Sequence, residues 1–244
     1  MIRKFLHHLF SFGSTAPVAA APAFRAIACE RHGISRDSIS SGSLKVALTL
    51  QQAGYSAYIV GGAVRDLLLG LKPKDYDIAT DATPEQVRAV FRHSRIIGRR
   101  FRLVHVISKG ETVEVSTFRG KATDDLLQSG KKYAYIDATG RLLHDNFFGS
   151  QEEDVRRRDF TINALFYNPA TEEIIDYLNG FEDVMAKRLC IIGEPEQRYR
   201  EDPVRMLRAV RLAAKLNIQI DDRTAAPIGD LAPLKKKVVA TRGV

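Results

Sequence analysis

The sequence predicts an α/β (α+β) fold: a mixed sheet flanked by helices, followed by a helical C-terminal region. Three observations lead there. Short apolar runs alternate with helical periodicities between residues 43 and 91. Two alternating segments, 102–108 and 112–118, flank Lys109-Gly110, and from Pro203 onward the period is helical alone.

Residues 43–53 place Leu44, Val46, Ala47, Leu48 and Leu50 at helical intervals, with Gly54 positioned to end the helix. Residues 57–60 form a short apolar strand that runs into Gly61-Gly62, and 63–69 read as a helix stopped by Gly70. The glycine pair thus occupies a strand-to-helix turn, where free backbone N–H groups can face an anion. Residues 75–79 read as the next strand. Thr83, Pro84 and Gln86 supply an N-cap, an N1 proline and a capping box for a helix whose buried stripe is Val87, Val90 and Phe91.

Lys109-Gly110 suits the turn of a hairpin, so part of the sheet is antiparallel. Residues 121–145 are polar and aperiodic, the pattern of a mobile loop. Strands are expected within 160–167 and 174–177. The stretch 203–216 carries Val204, Leu207, Val210, Ala213 and Leu216 on one stripe and Arg205, Arg208 and Arg211 on another. Three units follow: a disordered basic tail over 1–30, a head over 31–185 and the start of a helical region over 186–244.

A chain of 244 residues with 45% hydrophobic positions has ample material for a core, and it contains no apolar run of membrane-spanning length. With 37 Lys and Arg against 29 Asp and Glu, the formal charge is +8, which favours a polyanion such as nucleic acid over an acidic small substrate alone. The only cysteines, Cys29 and Cys190, are far apart, which disfavours a disulfide framework or a zinc ribbon and makes a reducing cytoplasm the expected location. The N-terminal MIRKFLHHLF and PVAAAPA mimic a signal peptide, but two histidines interrupt the apolar stretch. His32, His93, His105 and His144 are dispersed without metal-ligand spacing, so core or surface roles are expected.

Asp75 and Asp77, two apart on an expected strand, project from one face and can share divalent metal. Mg²⁺ suits them, because it takes carboxylates, water and substrate phosphates, and two ions could activate an attacking oxygen and stabilise a leaving one. Alone, Asp-x-Asp is more often a pair of solvated surface carboxylates. The glycine turn just upstream changes that balance.

The combined string GGAVRDLLLGLKPKDYDIAT, residues 61–80, closely resembles the signature of the class II nucleotidyltransferases, which include tRNA CCA-adding enzymes and bacterial poly(A) polymerases. The resemblance implies a five-stranded head of DNA-polymerase-β type, with Gly61 and Gly62 on the triphosphate and Asp75 and Asp77 on Mg²⁺. Arg65 and Asp66 match the family's Arg-Asp; by physics Arg65 pairs either with phosphate or with Asp66.

Arg157-Arg158-Asp159-Phe160-Thr161-Ile162-Asn163-Ala164 is similar to the family's ribose-recognition motif. By that resemblance Arg158 and Asn163 join the nucleotide site, and Asp159 completes the carboxylate set or supports the ribose. Asn163 offers the donor and acceptor that a ribose hydroxyl requires. Glu114, on a strand between Val113 and Val115, is a competing third carboxylate, ranked below Asp159 on the motif. Residues 176–183 resemble the family's flexible linker between head and neck.

Glu201-Asp202-Pro203-Val204-Arg205, followed by Arg208 and Arg211, is similar to the neck motif in which an acid and an arginine read a base edge, so Asp202, Arg205 and Arg208 are assigned to the nucleotide. The plain alternative is a helix with charge pairs on its solvent face. Residues 32–40, 98–106 and 200–216 lean toward the bacterial poly(A) polymerase branch. The expected activity is transfer of AMP from ATP to RNA 3′ ends with release of pyrophosphate. The rivals are CCA addition to tRNA and a catalytically idle RNA-binding fragment. The family continues into body and tail helices where this sequence ends in LKKKVVATRGV, so a truncated RNA-binding region is expected.

Overall fold

The computed structural model describes residues 24–98, 101–120 and 147–234. The expected mobile loop at 121–145 and most of the expected tail lie outside the described residues. In chain order the elements are β1 (Arg25–Ile27), α1 (Cys29–His32), α2 (Ser41–Gln52), β2 (Ala57–Val60), α3 (Gly62–Leu68), β3 (Asp77–Thr80), α4 (Pro84–Val90), β4 (Ser94–Ile97), β5 (Leu103–Ser108) and β6 (Glu111–Thr117). They continue with α5 (Gln151–Arg157), β7 (Leu165–Asn168), β8 (Glu173–Asp176), α6 (Gly180–Met185), β9 (Arg188–Leu189), α7 (Pro195–Glu201), α8 (Val204–Leu216), β10 (Gln219–Ile220), α9 (Asp222–Ala225) and α10 (Ile228–Leu231).

Among the described residues the main sheet has eight strands in the order β1-β8-β7-β2-β3-β6-β5-β4. The expected count of five is corrected upward: two short edge strands, β1 and β4, flank the sheet, and β7 and β8 form a hairpin of their own. β3 and β6 are parallel and the other neighbours antiparallel, so the expected mixed sheet is present. β1 lies inside the expected tail. It pairs with β8 and buries Ile27, an arrangement that three residues cannot announce by periodicity.

One sheet face is packed under α2. Val46, Ala47 and Leu50 of that helix join Ile59, Ile78, Val104, Val106, Val113 and Val115 in the larger core. The other face divides. Over β2, β7 and β8 it carries Val60, Phe166 and Ile175 beneath Val155 of α5. Over β6, β5 and β4 the alternation delivers Glu114, Ser116, His105 and Arg95 to the same face, none of them buried.

Local chemistry agrees with the elements. Thr83 and Gln86 form the expected capping box, and Lys109 and Gly110 both have positive φ, as a two-residue hairpin turn requires. Residues 176–183, which resemble a linker in sequence, are the end of β8, a turn and the start of α6. The buried Asp176 carboxylate accepts the backbone N–H groups of Leu178, Gly180 and Phe181, and a Cβ on Gly180 would lie 2.3 Å from the Thr161 carbonyl oxygen. α8 buries Met206, Ala209 and Leu212, whereas Leu207 and Val210 are exposed. The stripe read from the sequence stepped by three, which drifts about 60° per step around a 3.6-residue helix, so its middle members leave the core. Among the described residues no helix is long and apolar enough to cross a membrane.

Candidate active site

Where β2 ends, Gly61 adopts φ +70° and turns the chain into α3, a backbone conformation that an L side chain would strain. Gly61 and Gly62 line a cavity of about 730 Å³ whose other walls come from β3, the segment after α5, and α8. Asp77, Arg158, Asp159, Asn163, Asp202, Arg205 and Arg208 line it as well, together with Arg65. Residues remote in sequence thus converge, as expected. Arg157, Arg211 and Lys215 also line the cavity, raising it to seven cationic side chains against three carboxylates. Lys215 continues the one-turn spacing of the α8 arginines, which is the signal that would have found it.

Asp77 opens β3, paired with Val60 on one side and Glu114 on the other. It meets solvent at the cavity, yet the surrounding protein and the negative charges of Glu114 and Asp75 push its carboxyl up to about 6, with Arg158 opposing them. Asp75 neither belongs to β3 nor lines the cavity. β2 has already turned into α3 at that level, leaving residue 75 without a partner on the β2 side. The expected strand start is therefore corrected by two residues, although Asp75 remains close enough to act on Asp77.

The Arg65 guanidinium donates to Asp66 Oδ1 through Nε (2.8 Å) and Nη2 (2.5 Å), and its Nη1 donates to Asn163 Oδ1. This buried arginine thus pairs with Asp66 and lines the cavity as well. Asp66 itself does not line the cavity. Asn163 is also engaged within the protein, because its Nδ2 donates to Asp159 Oδ1 at 3.2 Å. Its amide thus anchors the turn and has both ends occupied.

Asp159 follows α5 and accepts the Phe160 N–H at 2.8 Å through Oδ1. Its Oδ2 lies 2.6 Å from Arg208 Nη2, an ion pair whose angle falls outside hydrogen-bond geometry. Arg158 reaches back to Asp154 at 2.9 Å and lies over the Phe166 ring, 5.0 Å from its centroid. In the helical region, Asp202 Oδ1 accepts the Val204 N–H, and Arg205 Nη1 donates to the Arg198 carbonyl (2.8 Å) and Glu201 Oε2 (3.1 Å). Arg198, not read from the sequence as functional, donates through Nη2 to the carbonyls of Arg157 and Arg158.

The carboxylate nearest Asp77 in the sheet is Glu114, whereas Asp159 is occupied by Arg208, Asn163 and Phe160 on another wall. Among the described residues no three His, Cys, Asp or Glu side chains converge to hold a metal unaided. The donor chemistry nonetheless fits Mg²⁺: oxygen ligands only, crowded negative charge at Asp77, and a cationic cavity for the phosphates that complete such a coordination shell.

Residues 57–190 match the family model described as the poly(A) polymerase head domain. The chain is 52% identical over 223 residues to poly(A) polymerase I of Salmonella typhi, covering 91% of this chain and 48% of that protein. It is 40% identical over 200 residues to the CCA-adding enzyme of Lactobacillus helveticus, covering 82% of this chain and 47% of that one. The Bacillus stearothermophilus CCA-adding enzyme in complex with CTP superposes with a TM-score of 0.66 at 39% identity, over 79% of this chain and 43% of that structure. The chain therefore spans about half the length of the curated relatives it matches. A strand-to-helix glycine turn, an adjoining strand that opens on Asp77 and a matching head-domain model converge on one assignment: the chain belongs to the family of the poly(A) polymerase head domain.

Proposed function

We propose that this chain is the catalytic head of a template-independent polynucleotide adenylyltransferase, transferring AMP from ATP to the 3′ end of RNA. The observation that carries the reading is the cavity itself, in which Asp77 faces a strongly cationic wall beside the glycine turn. The 52% identity to poly(A) polymerase I supports the choice of ATP and RNA.

In this reading Gly61 and Gly62 let the triphosphate approach the backbone, and Arg158 and Arg208 neutralise its charge. Asp202 and Arg205 meet the base edge; both are held by contacts within the helical region, so little ordering cost remains when a base arrives. The RNA 3′-oxygen bonds to the α-phosphorus, the bond to the bridging oxygen breaks, pyrophosphate leaves, and the hydroxyl proton passes to solvent. Asp77 would hold Mg²⁺ with Asp75 or Glu114, and the ion when bound supplies Lewis-acid polarisation and charge neutralisation. Catalysis then rests on positioning and electrostatics, with no histidine base.

A second reading, CCA addition to tRNA, is supported by the fold match to a CTP-bound CCA-adding enzyme. One assay separates the two: end-labelled generic RNA and tRNA lacking its CCA end, each offered ATP alone, CTP alone and the two together with Mg²⁺. A long ladder with ATP on generic RNA is the expected result. A stop after CCA on tRNA, with generic RNA untouched, favours the second reading.

A further inference from the structure

We propose that the open half of the site-bearing sheet face, the row Glu114–His105–Arg95, seats the 3′-terminal nucleotides of the RNA acceptor; this rests on the adenylyl-transfer reading for the identity of the RNA. The row is set by register. Asp77 pairs with Glu114 in the parallel β3–β6 ladder, Glu114 with His105 across β6–β5, and His105 with Arg95 across β5–β4. Side chains directly opposite one another share a face, so the four stand side by side across four strands. His105 Nε2 lies 3.7 Å from Glu114 Oε2. Three strand spacings of roughly 4.8 Å place Arg95 about 14 Å from Asp77, a reach on the scale of the terminal nucleotides.

Two features assign this row to the acceptor rather than to the nucleotide. First, the cavity contains Asp77 but neither Glu114, His105 nor Arg95. With ATP in the cavity, an attacking oxygen has to approach Asp77 from its other side, which is where the row begins. Second, the row ends in unneutralised positive charge. Arg95 is exposed and makes no ion pair among the described residues, and Arg92 and His93, also exposed, lie just ahead of it. Phosphates recruit such unpaired cations, because each neutralised phosphate releases a condensed counterion. The apolar neighbour Ile107, 63% exposed on the same face, offers a surface for a base.

The test measures binding of a short labelled oligoadenylate to the full chain by fluorescence anisotropy across a salt series, with a non-hydrolysable ATP analogue present. Arg95→Glu is expected to weaken RNA binding about ten-fold and to flatten its salt dependence. His105→Ala should weaken it less, and neither should change the affinity for the ATP analogue. Lys45→Glu makes the same charge change on α2, against the opposite sheet face, and should leave RNA binding unaltered. Arg95 and Lys45 are exposed and His105 is half-buried, and thermal unfolding of each variant verifies the fold. RNA binding that Arg95→Glu and Lys45→Glu affect equally, or not at all, overturns the surface. Arg95-dependent RNA binding by a chain that extends no RNA overturns the transfer reading and upholds the surface.

Discussion

Asp77 on β3 and Glu114 on β6 are directly paired in parallel register, so the carboxylate that lines the cationic cavity has a second carboxylate beside it in the sheet. This makes Glu114 the structural partner of Asp77, ahead of Asp159. Glu114→Gln is expected to lower turnover of nucleotide addition by about 10²–10³, the loss usual for one electrostatic stabilising group. Asp159→Asn should instead raise KM for ATP, because it releases Arg208 and the Asn163 turn. Steady-state kinetics on both variants decides between the two carboxylates.

The carboxyl of Asp77 is raised to about 6, chiefly by burial and then by Glu114. A raised carboxyl means the folded chain binds more protons than the unfolded chain between its ordinary value and about 6, so stability falls as pH rises through that window. Asp77→Asn is therefore expected to unfold at higher temperature than the parent at pH 7–8, with the difference vanishing near pH 3.5 and below. Calorimetry in the presence of a chelator checks this. Added Mg²⁺ should stabilise the parent at pH 7.5 and leave Asp77→Asn unmoved.

Arg65 is buried and joins Asp66 to Asn163, so its removal strands two polar partners at once. Arg65→Ala should cost about 3–5 kcal/mol in urea unfolding. Lys cannot reproduce the forked contact, and Arg65→Lys is expected to recover less than half of that loss.

Arg198 holds the carbonyls of Arg157 and Arg158 through Nη2 while its own carbonyl accepts from Arg205. It therefore ties the turn bearing Asp159 to the helix bearing Arg205. Arg198→Met is expected to relax the preference for ATP over CTP by about 1–3 kcal/mol, the cost of leaving hydrogen-bonding groups unpaired. Competition between the two nucleotides reads this directly, and an unchanged ratio in a folded variant assigns Arg198 to stability alone.

Much of this site was legible because its signals are local. The glycine turn, the Thr83–Gln86 capping box and the Lys109-Gly110 hairpin each declare themselves within a few residues. Ser150 and Glu153 form a second capping box that starts α5, a signal as local as the first. The pairing of Asp77 with Glu114 was not legible, since it depends on β3 and β6 being neighbours while two strands intervene in the chain. Short edge strands such as β1 and β4 escaped for a related reason: their partners, and not their own periodicity, make them strands. The internal engagement of Asn163 likewise depends on Arg65, nearly a hundred residues away in the chain.

The central claim is that Asp77 and the cationic cavity transfer adenylate from ATP to RNA. Its most direct test measures ATP-dependent pyrophosphate release together with lengthening of an end-labelled RNA, for the parent chain and for Asp77→Asn, in Mg²⁺. Coupled release and lengthening by the parent, reduced by orders of magnitude in a folded Asp77→Asn, is the expected result. Equal activity in the two chains, or lengthening that does not require ATP, would contradict it.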